Sequence, residues 1–369
     1  MSESQPMVSV ITACYQHGRW LGDAVQSVLR QSYPRREIVI VNDGSTDSSA
    51  DVAQRFVREQ PGTVRYLETS RVGQAKARAA GARTAAGELW VLLDADDMLE
   101  PHMMERAVAA LLRRPQAAAA VADVWMIAED GRRILRLRQN RVPSWPAVAE
   151  GNAIGGLAGI MLRAEAVRRA GGLEGPPGAE DWDLWIRMAR CGMEFVHVSG
   201  CLGRYRQAAS SYSRKAFEML RAKLDTLDRC RRRDERLDGV ADVAPPIDDA
   251  LHARLCNRAV FFALGVLAAA PPDSRDYGRI LEHLRGAPFD APTLAGDFRS
   301  GLWHAAVLGR SPHPVNLPPL LDALNVRLQA MSQAAALPPL TAALTKAAGE
   351  LWLMRLKQHA RTLYFNLLG

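Results

Sequence analysis

The chain is short of several things, and each shortage removes a class of function. Aromatic residues make up 6% of its 369 residues, and no basic-plus-aromatic nucleic-acid module is recognisable, which argues against nucleic-acid binding. The five cysteines (Cys14, Cys191, Cys201, Cys230, Cys256) are odd in number and show no CxxC spacing. A disulfide framework and a zinc ribbon are therefore not expected, and free thiols in a reducing compartment are. The first residues, MSESQPMVSVITA, lack the basic-then-apolar pattern of a secretory leader, so a cytoplasmic protein is expected. The longest apolar run, Ala259 to Ala270, falls short of the roughly 20 residues that span a bilayer. Attachment to a membrane surface stays open.

What is present is an ordinary globular composition: 48% hydrophobic and 24% charged residues, with a net charge of +7. The length allows two domains. The positive balance favours acidic partners, such as nucleotide phosphates or an anionic surface. Up to about Val198, strand-like and helix-like segments alternate: Met7–Thr12, Glu37–Asn42, Val64–Glu68 and Leu89–Leu93 read as strands, with helical spacing between them. This predicts an α/β fold, a Rossmann-like, mainly parallel sheet with helices on both faces. Ala117–Ile127 and Phe195–Val198 read as further strands. From about Lys215 strand signals vanish, and Lys215 to Leu237 reads as one long helix. We place a boundary near Ser213, giving a first domain over 1–213 and a helical accessory domain over 214–369.

The segment Leu89-Trp90-Val91-Leu92-Leu93-Asp94-Ala95-Asp96-Asp97 organises the rest. Five apolar residues, bounded by Gly87-Glu88, predict a strand buried on both faces. It runs into three aspartates within four residues, whose mutual repulsion calls for a positive partner. A divalent cation on a polyphosphate suits such a site, since hard oxygen ligands can be few when phosphate and water supply the others. In an open parallel sheet, ligands bind past the carboxyl ends of the strands, where these acids stand.

Four motifs then occur in order: Val8-Ser9-Val10-Ile11-Thr12; Val41-Asn42-Asp43-Gly44-Ser45-Thr46-Asp47; Leu92-Leu93-Asp94-Ala95-Asp96-Asp97; and Ala179-Glu180-Asp181-Trp182-Asp183-Leu184-Trp185. Together, over about the first 213 residues, they resemble the inverting family 2 glycosyltransferases of GT-A fold. The resemblance implies a nucleoside-diphosphate sugar as donor, with UDP favoured, and a hydroxyl acceptor on a glycan or a lipid-linked carrier. It implies that Asp43 accepts a hydrogen bond from the nucleotide base, that Tyr15 stacks on the base, and that Thr12 and Ala13 line the nucleotide. Asp94-Ala95-Asp96 becomes the DxD element, with Asp96 on Mn²⁺ or Mg²⁺ and Asp94 nearer the ribose. Lys76 and Arg78, in the basic segment Arg71 to Gly81, would reach the diphosphate, and Gly73 would let the backbone approach the nucleotide. Asp181 is then the base that takes the proton of the acceptor hydroxyl, Glu180 contacts the acceptor or supports the loop, and Trp182 is an acceptor-stacking residue. Asp47 reads as a helix cap, and Asp183 as a second one.

Two features depart from the family pattern. Tyr205-Arg206-Gln207 is followed by Ala208 where relatives carry a histidine that completes metal coordination, and Ala13-Cys14-Tyr15-Gln16 stands where they have Pro and then Tyr-Asn. His197 reads as a core or edge residue, not as a replacement ligand. The string QxxRW occurs only as Gln16-His17-Gly18-Arg19-Trp20, upstream of the acidic motifs, and none follows Glu180-Asp181 where processive synthases carry this signature, which favours one sugar per encounter. The alternative to an enzyme of surface polysaccharide or glycolipid synthesis is a non-catalytic relative that binds a nucleotide sugar or glycan as a scaffold. The final basic and apolar stretch, Leu351 to Phe365, is expected to dock on the helical domain, on a partner chain, or on an anionic membrane as a peripheral contact.

Overall fold

A computed structural model describes residues 5–139, 144–152, 154, 156–207, 215–241, 243–268, 277–286, 290–308, 317–331 and 338–349. The chain divides into two compact units. One is built from residues 1–208 and 233–246, the other from 209–232 and 247–369.

The first unit is built on a nine-stranded sheet. Its opening half follows β1 (Val8–Cys14), α1 (Gly18–Leu29), β2 (Arg36–Asp43), α2 (Ser49–Glu59), β3 (Val64–Thr69), α3 (Gln74–Thr84) and β4 (Leu89–Leu92). These strands lie parallel in the order β3-β2-β1-β4. Alternation explains why both faces are covered. Val8, Val10, Ile38 and Ile40 pack with α1 and α2, whereas Ala13, Val39 and Val41 pack with Ala77 of α3. Helix α3 approaches closely because Gly81 faces the sheet. A Cβ there would stand 2.8 Å from Ile11 Cγ2 and 2.9 Å from Val41 Cγ2.

The second half is mixed. It contains β5 (Met98–Leu99), α4 (Met103–Arg113), β6 (Ala117–Ile127), β7 (Arg133–Leu137), β8 (Ile160–Arg163), α5 (Ala164–Arg169), α6 (Glu180–Arg190) and β9 (Glu194–Arg206). The sheet continues β4-β8-β6-β9-β5, with β7 beside β6. Here only β6 and β9 run parallel. The alternation of strands and helices breaks after α4, so the sheet is parallel in its first half and mixed in its second. Strand β9 is also longer than the four-residue strand read at Phe195–Val198. Its later residues are held by backbone pairing to β6 and β5, and that is not visible as a hydrophobic run.

The second unit is helical: α7 (Ala216–Cys230), α8 (Asp249–Ala268), α9 (Tyr277–Leu281), α10 (Ala291–Leu308), α11 (Pro318–Ala330) and a helix over 338–349. Helix α7 ends at Cys230, seven residues before the predicted end. Arg233–Pro246 belongs to the first unit. Helix α8 is long and apolar enough to cross a membrane by length and composition, yet 67% of that stretch is buried in the protein. Both the Ser213 boundary and the Leu351–Phe365 stretch fall outside the described residues.

Candidate active site

Three loops at the carboxyl ends of β1, β2 and β4 build the site, as the topology requires. Gln16 joins the first two. It has a positive φ of 57°, and its side-chain oxygen accepts from the Thr46 and Asp47 backbone N–H groups at 3.0 and 3.1 Å. Asp47 acts as the reading of a cap requires, and does so twice. Oδ2 accepts from Gly18 N at the start of α1, and Oδ1 from Ser49 N at the start of α2.

Asp43 is 4% exposed. Its carboxylate gathers the loop after β3: Oδ1 accepts from Thr69 Oγ1 and Val72 N, both at 2.7 Å, and Oδ2 from Gly73 N at 2.8 Å. Gly73 supplies the φ of +91° that lets its N–H reach the acid. The Arg71 guanidinium from this loop lies over the Tyr15 ring, 4.5 Å from its centre. One face of Tyr15 is thus already covered. Thr12 and Ala13 are buried in β1, 1% and 6% exposed.

At the end of β4 the three aspartates have different surroundings. Asp94 Oδ1 accepts from Gln74 Nε2 at 2.9 Å and pairs with Arg78. Ala95 between the acids is buried. No side chain donates a hydrogen bond to the Asp96 carboxylate among the described residues. Burial pushes its pKa up, and the negative charge of Asp94 adds to the shift. Asp97 is fully buried: Oδ1 accepts from Arg206 N at 2.8 Å, and Oδ2 has no partner. Burial, with Asp96 and Asp94 beside it, lifts its pKa well above the carboxylate range. Arg206 clasps the turn from behind. It donates from Nε to the Asp96 carbonyl (2.8 Å) and from Nη1 to the Glu129 carbonyl (2.6 Å).

The residues of α6 face the same centre. Asp181 Oδ2 accepts from Asn152 Nδ2 and Oδ1 from Trp182 N, both at 2.7 Å. Burial raises the Asp181 pKa, against the lowering pull of Asn152, the Trp182 N–H and Arg78. Burial likewise raises Glu180, opposed by Arg78. Arg78 links the two acidic groups. Burial disfavours its charge, but the fields of Asp94, Glu180 and Asp181 more than offset this.

Some expected residues stand apart from this cluster. Lys76 is exposed on α3, two residues before Arg78 and so about 200° around the helix from it. Trp182 is 4% exposed and donates from Nε1 to the Val148 carbonyl at 2.9 Å, so it props the 147–150 turn and offers no free face for stacking. Asp183 caps no helix. It is buried between Arg187 (3.0 Å) and Arg236 (2.9 Å). His197 is an edge residue, 3.6 Å from Asp123, and Ala208 lies outside the described residues. Sequence reasoning missed Gln74, Asn152, Arg206 and Arg236. A buried arginine leaves a faint signal, a lone basic residue inside an apolar or strand-like context, as at Arg206.

A cation fits the acid turn on two counts. Asp96 and Asp97 carry more negative charge than their burial favours, and Asp97 Oδ2 is an orphaned acceptor. Among the described residues no three His, Cys, Asp or Glu side chains converge to hold a metal by themselves. The fit is therefore to an ion that takes most of its ligands from phosphate and water.

A model of the family described as Glycosyl transferase family 2 matches residues 9–169. TuaG of Bacillus subtilis, a glycosyltransferase assigned to teichuronic acid biosynthesis, is 29% identical over 216 residues, 58% of this chain and 84% of its own. The chain spans only about a third of the length of the glycosyltransferase alr2836 of Nostoc sp., 42% identical over 101 residues, and of GlyG of Streptococcus pneumoniae, 35% identical over 100. Among solved structures, the mannosyltransferase PcManGT from Pyrobaculum calidifontis, in complex with GDP-Man and Mn²⁺, superposes with a TM-score of 0.52 at 18% identity, covering 93% of this chain and 88% of that one. S. aureus TarS 1–349 in complex with UDP-GlcNAc gives 0.51 at 12% identity, covering 89% and 92%. At such identities the likeness is one of fold. Residues 9–169 thus match glycosyl transferase family 2, and the chain shares the GT-A fold of these solved glycosyltransferases.

Proposed function

We propose that the protein is an inverting glycosyltransferase that moves a sugar from a nucleoside-diphosphate donor, UDP-linked by preference, to an acceptor hydroxyl in surface polysaccharide or glycolipid synthesis. The carrying observation is the half-buried cluster in which the buried Arg78 pairs with Asp94 of the acid turn and lies within the fields of Glu180 and Asp181 on α6. Inverting transfer is one displacement, and it needs an anion-stabilising end and a basic end on opposite sides of the reacting carbon.

Asp181 is the base. Asn152 and the Trp182 N–H each occupy one oxygen, which fixes the carboxylate and leaves lone pairs for the acceptor proton. Glu180 supports it from the preceding position. Asp96 would hold the Mn²⁺ or Mg²⁺, which would neutralise charge on the departing diphosphate. Asp43 spends three of roughly four lone-pair sites on its loop, leaving one for the imide N–H of a uracil. The relative assigned to teichuronic acid synthesis and the neighbours solved with UDP-GlcNAc and GDP-Man support the substrate class.

Calorimetric titration with UDP and GDP, each with and without Mn²⁺, on the wild type and on Asp96→Ala tests this reading. Metal-dependent UDP binding that Asp96→Ala abolishes is the expected result. Tight GDP binding alone overturns the base preference. No binding of either nucleotide favours a glycan-binding scaffold over an enzyme.

A further inference from the structure

Gln207 stands one residue past β9. Its backbone N–H donates to the Ile127 carbonyl at 2.8 Å, continuing the ladder from the Ile127–Arg206 pair, so strand geometry runs through it. The side chain is 7% exposed, and among the described residues neither its nitrogen nor its oxygen has a hydrogen-bond partner. A primary amide brings two donors and an acceptor. Burying all of them unpaired is costly, and folded proteins do it rarely without a reason.

Its position supplies the reason. The period of two along a strand puts Gln207 on the face of Tyr205, opposite Arg206. On the Arg206 face, the guanidinium holds the acid turn through the Asp96 carbonyl. On the other face lies Gly156, where a Cβ would stand 3.5 Å from Tyr205 Cβ. Gly156 lies four residues in sequence after Asn152, the donor to Asp181. The unpaired amide thus lies one peptide from the clasp on the acid turn, on the face that carries Gly156, close in sequence to the support of the base. A single displacement requires the reacting sugar to lie between those two. We infer that the Gln207 amide binds hydroxyls of the sugar being transferred and so helps to choose the donor sugar. Donor and acceptor on one planar group match neighbouring sugar hydroxyls, each of which also donates and accepts. This assignment rests on the glycosyltransferase reading above.

Gln207→Leu separates this role from a structural one. Leucine is of similar size and carries no amide, so removing an orphaned polar group leaves the melting temperature of the free protein unchanged or raises it. Titration of wild type and variant with UDP and with UDP-GlcNAc and UDP-glucose (or GDP and GDP-mannose, if guanine is the preferred base) reads the sugar's share of the affinity. For the preferred sugar nucleotide, the affinity relative to the bare nucleotide should fall about tenfold, with the bare nucleotide's affinity unmoved. A lowered melting temperature with the sugar's share unchanged would assign the amide to packing and overturn the inference. Equal losses for nucleotide and sugar nucleotide would assign it to the diphosphate, and would overturn it too. A wild type that binds no nucleotide sinks both this inference and the reading beneath it; one that binds, with an unmoved sugar increment, sinks this inference alone.

Discussion

Asp181 is asked to work as an anion in a place that disfavours one. Burial lifts its pKa, and only Asn152, the Trp182 N–H and Arg78 pull it back. A general base acts when deprotonated, so activity is lost as pH falls through the folded-state pKa. Because that pKa is raised, the acid limb of kcat/KM should stand above the ordinary aspartate value of about 3.9. Arg78→Gln removes a positive charge and should move the limb to still higher pH, whereas Arg78→Lys should move it less. A pH–rate profile checks the order. Asp181→Asn should lower kcat by about 10²–10⁴-fold while UDP titration still shows binding. The residues proposed to carry this chemistry were visible in sequence by type and position. Three aspartates after a buried strand, and Glu180-Asp181 before an apolar helix, are local patterns. Asn152 and Gln74 were not visible, because a lone amide earns its role only from a partner 29 or 20 residues away.

The base is only as well placed as α6, and that helix is pinned by charge. Asp183 lies between Arg187 and Arg236, and the Arg187 side chain is 1% exposed. Ala244, in the 233–246 strap, exchanges hydrogen bonds with Arg190 through both its N–H and its carbonyl. Asp183→Ala would leave the fully buried Arg187 guanidinium without its carboxylate, while Arg236 would keep only Asp234. The expected cost is about 3–5 kcal/mol, read as a shifted midpoint in urea unfolding. A surface ion pair such as Arg55–Glu59 should by contrast cost under about 1 kcal/mol when broken. The strap explains where sequence reading stopped. Periodicity located β1 to β4 to within a few residues, because each carries its own apolar positions, but the two-residue β5 left no such signal. Arg231 to Leu237 continues a helical composition, but its path is set by Arg236 reaching Asp183, an interaction 53 residues apart in sequence. The mixed half of the sheet was hidden for the same reason. Strand direction in β8 and β9 is decided by partners, and the alternating hydrophobic pattern is the same either way.

At the scale of the whole chain, two cores are held by different means. In the first unit, a sheet is covered on both faces by helices whose fit is set by branched side chains. In the second, α8 and α10 meet backbone to backbone. A Cβ added at Gly265 would overlap the Phe298 carbonyl oxygen, and one at Gly301 would overlap the Phe262 carbonyl oxygen. The apolar length of α8 serves this contact, since Val260, Phe261 and Leu264 are fully buried. Alanine in place of glycine normally favours a helix by about 1 kcal/mol. Here the steric term should win, because neither opposing atom is a side chain that can turn away. Gly265→Ala is therefore expected to destabilise the helical unit by several kcal/mol, with Gly301→Ala behaving alike. Nucleotide contacts all come from the first unit in the proposed site, so UDP titration of the folded variant at low temperature should match the wild type. Calorimetric melting of the full chain should show the loss in one transition, with UDP still shifting the other upward. A Gly265→Ala protein that melts like the wild type would show that the two helices can separate freely at this crossing. One that loses UDP binding while still folded would show that the helical unit is needed to form the donor site.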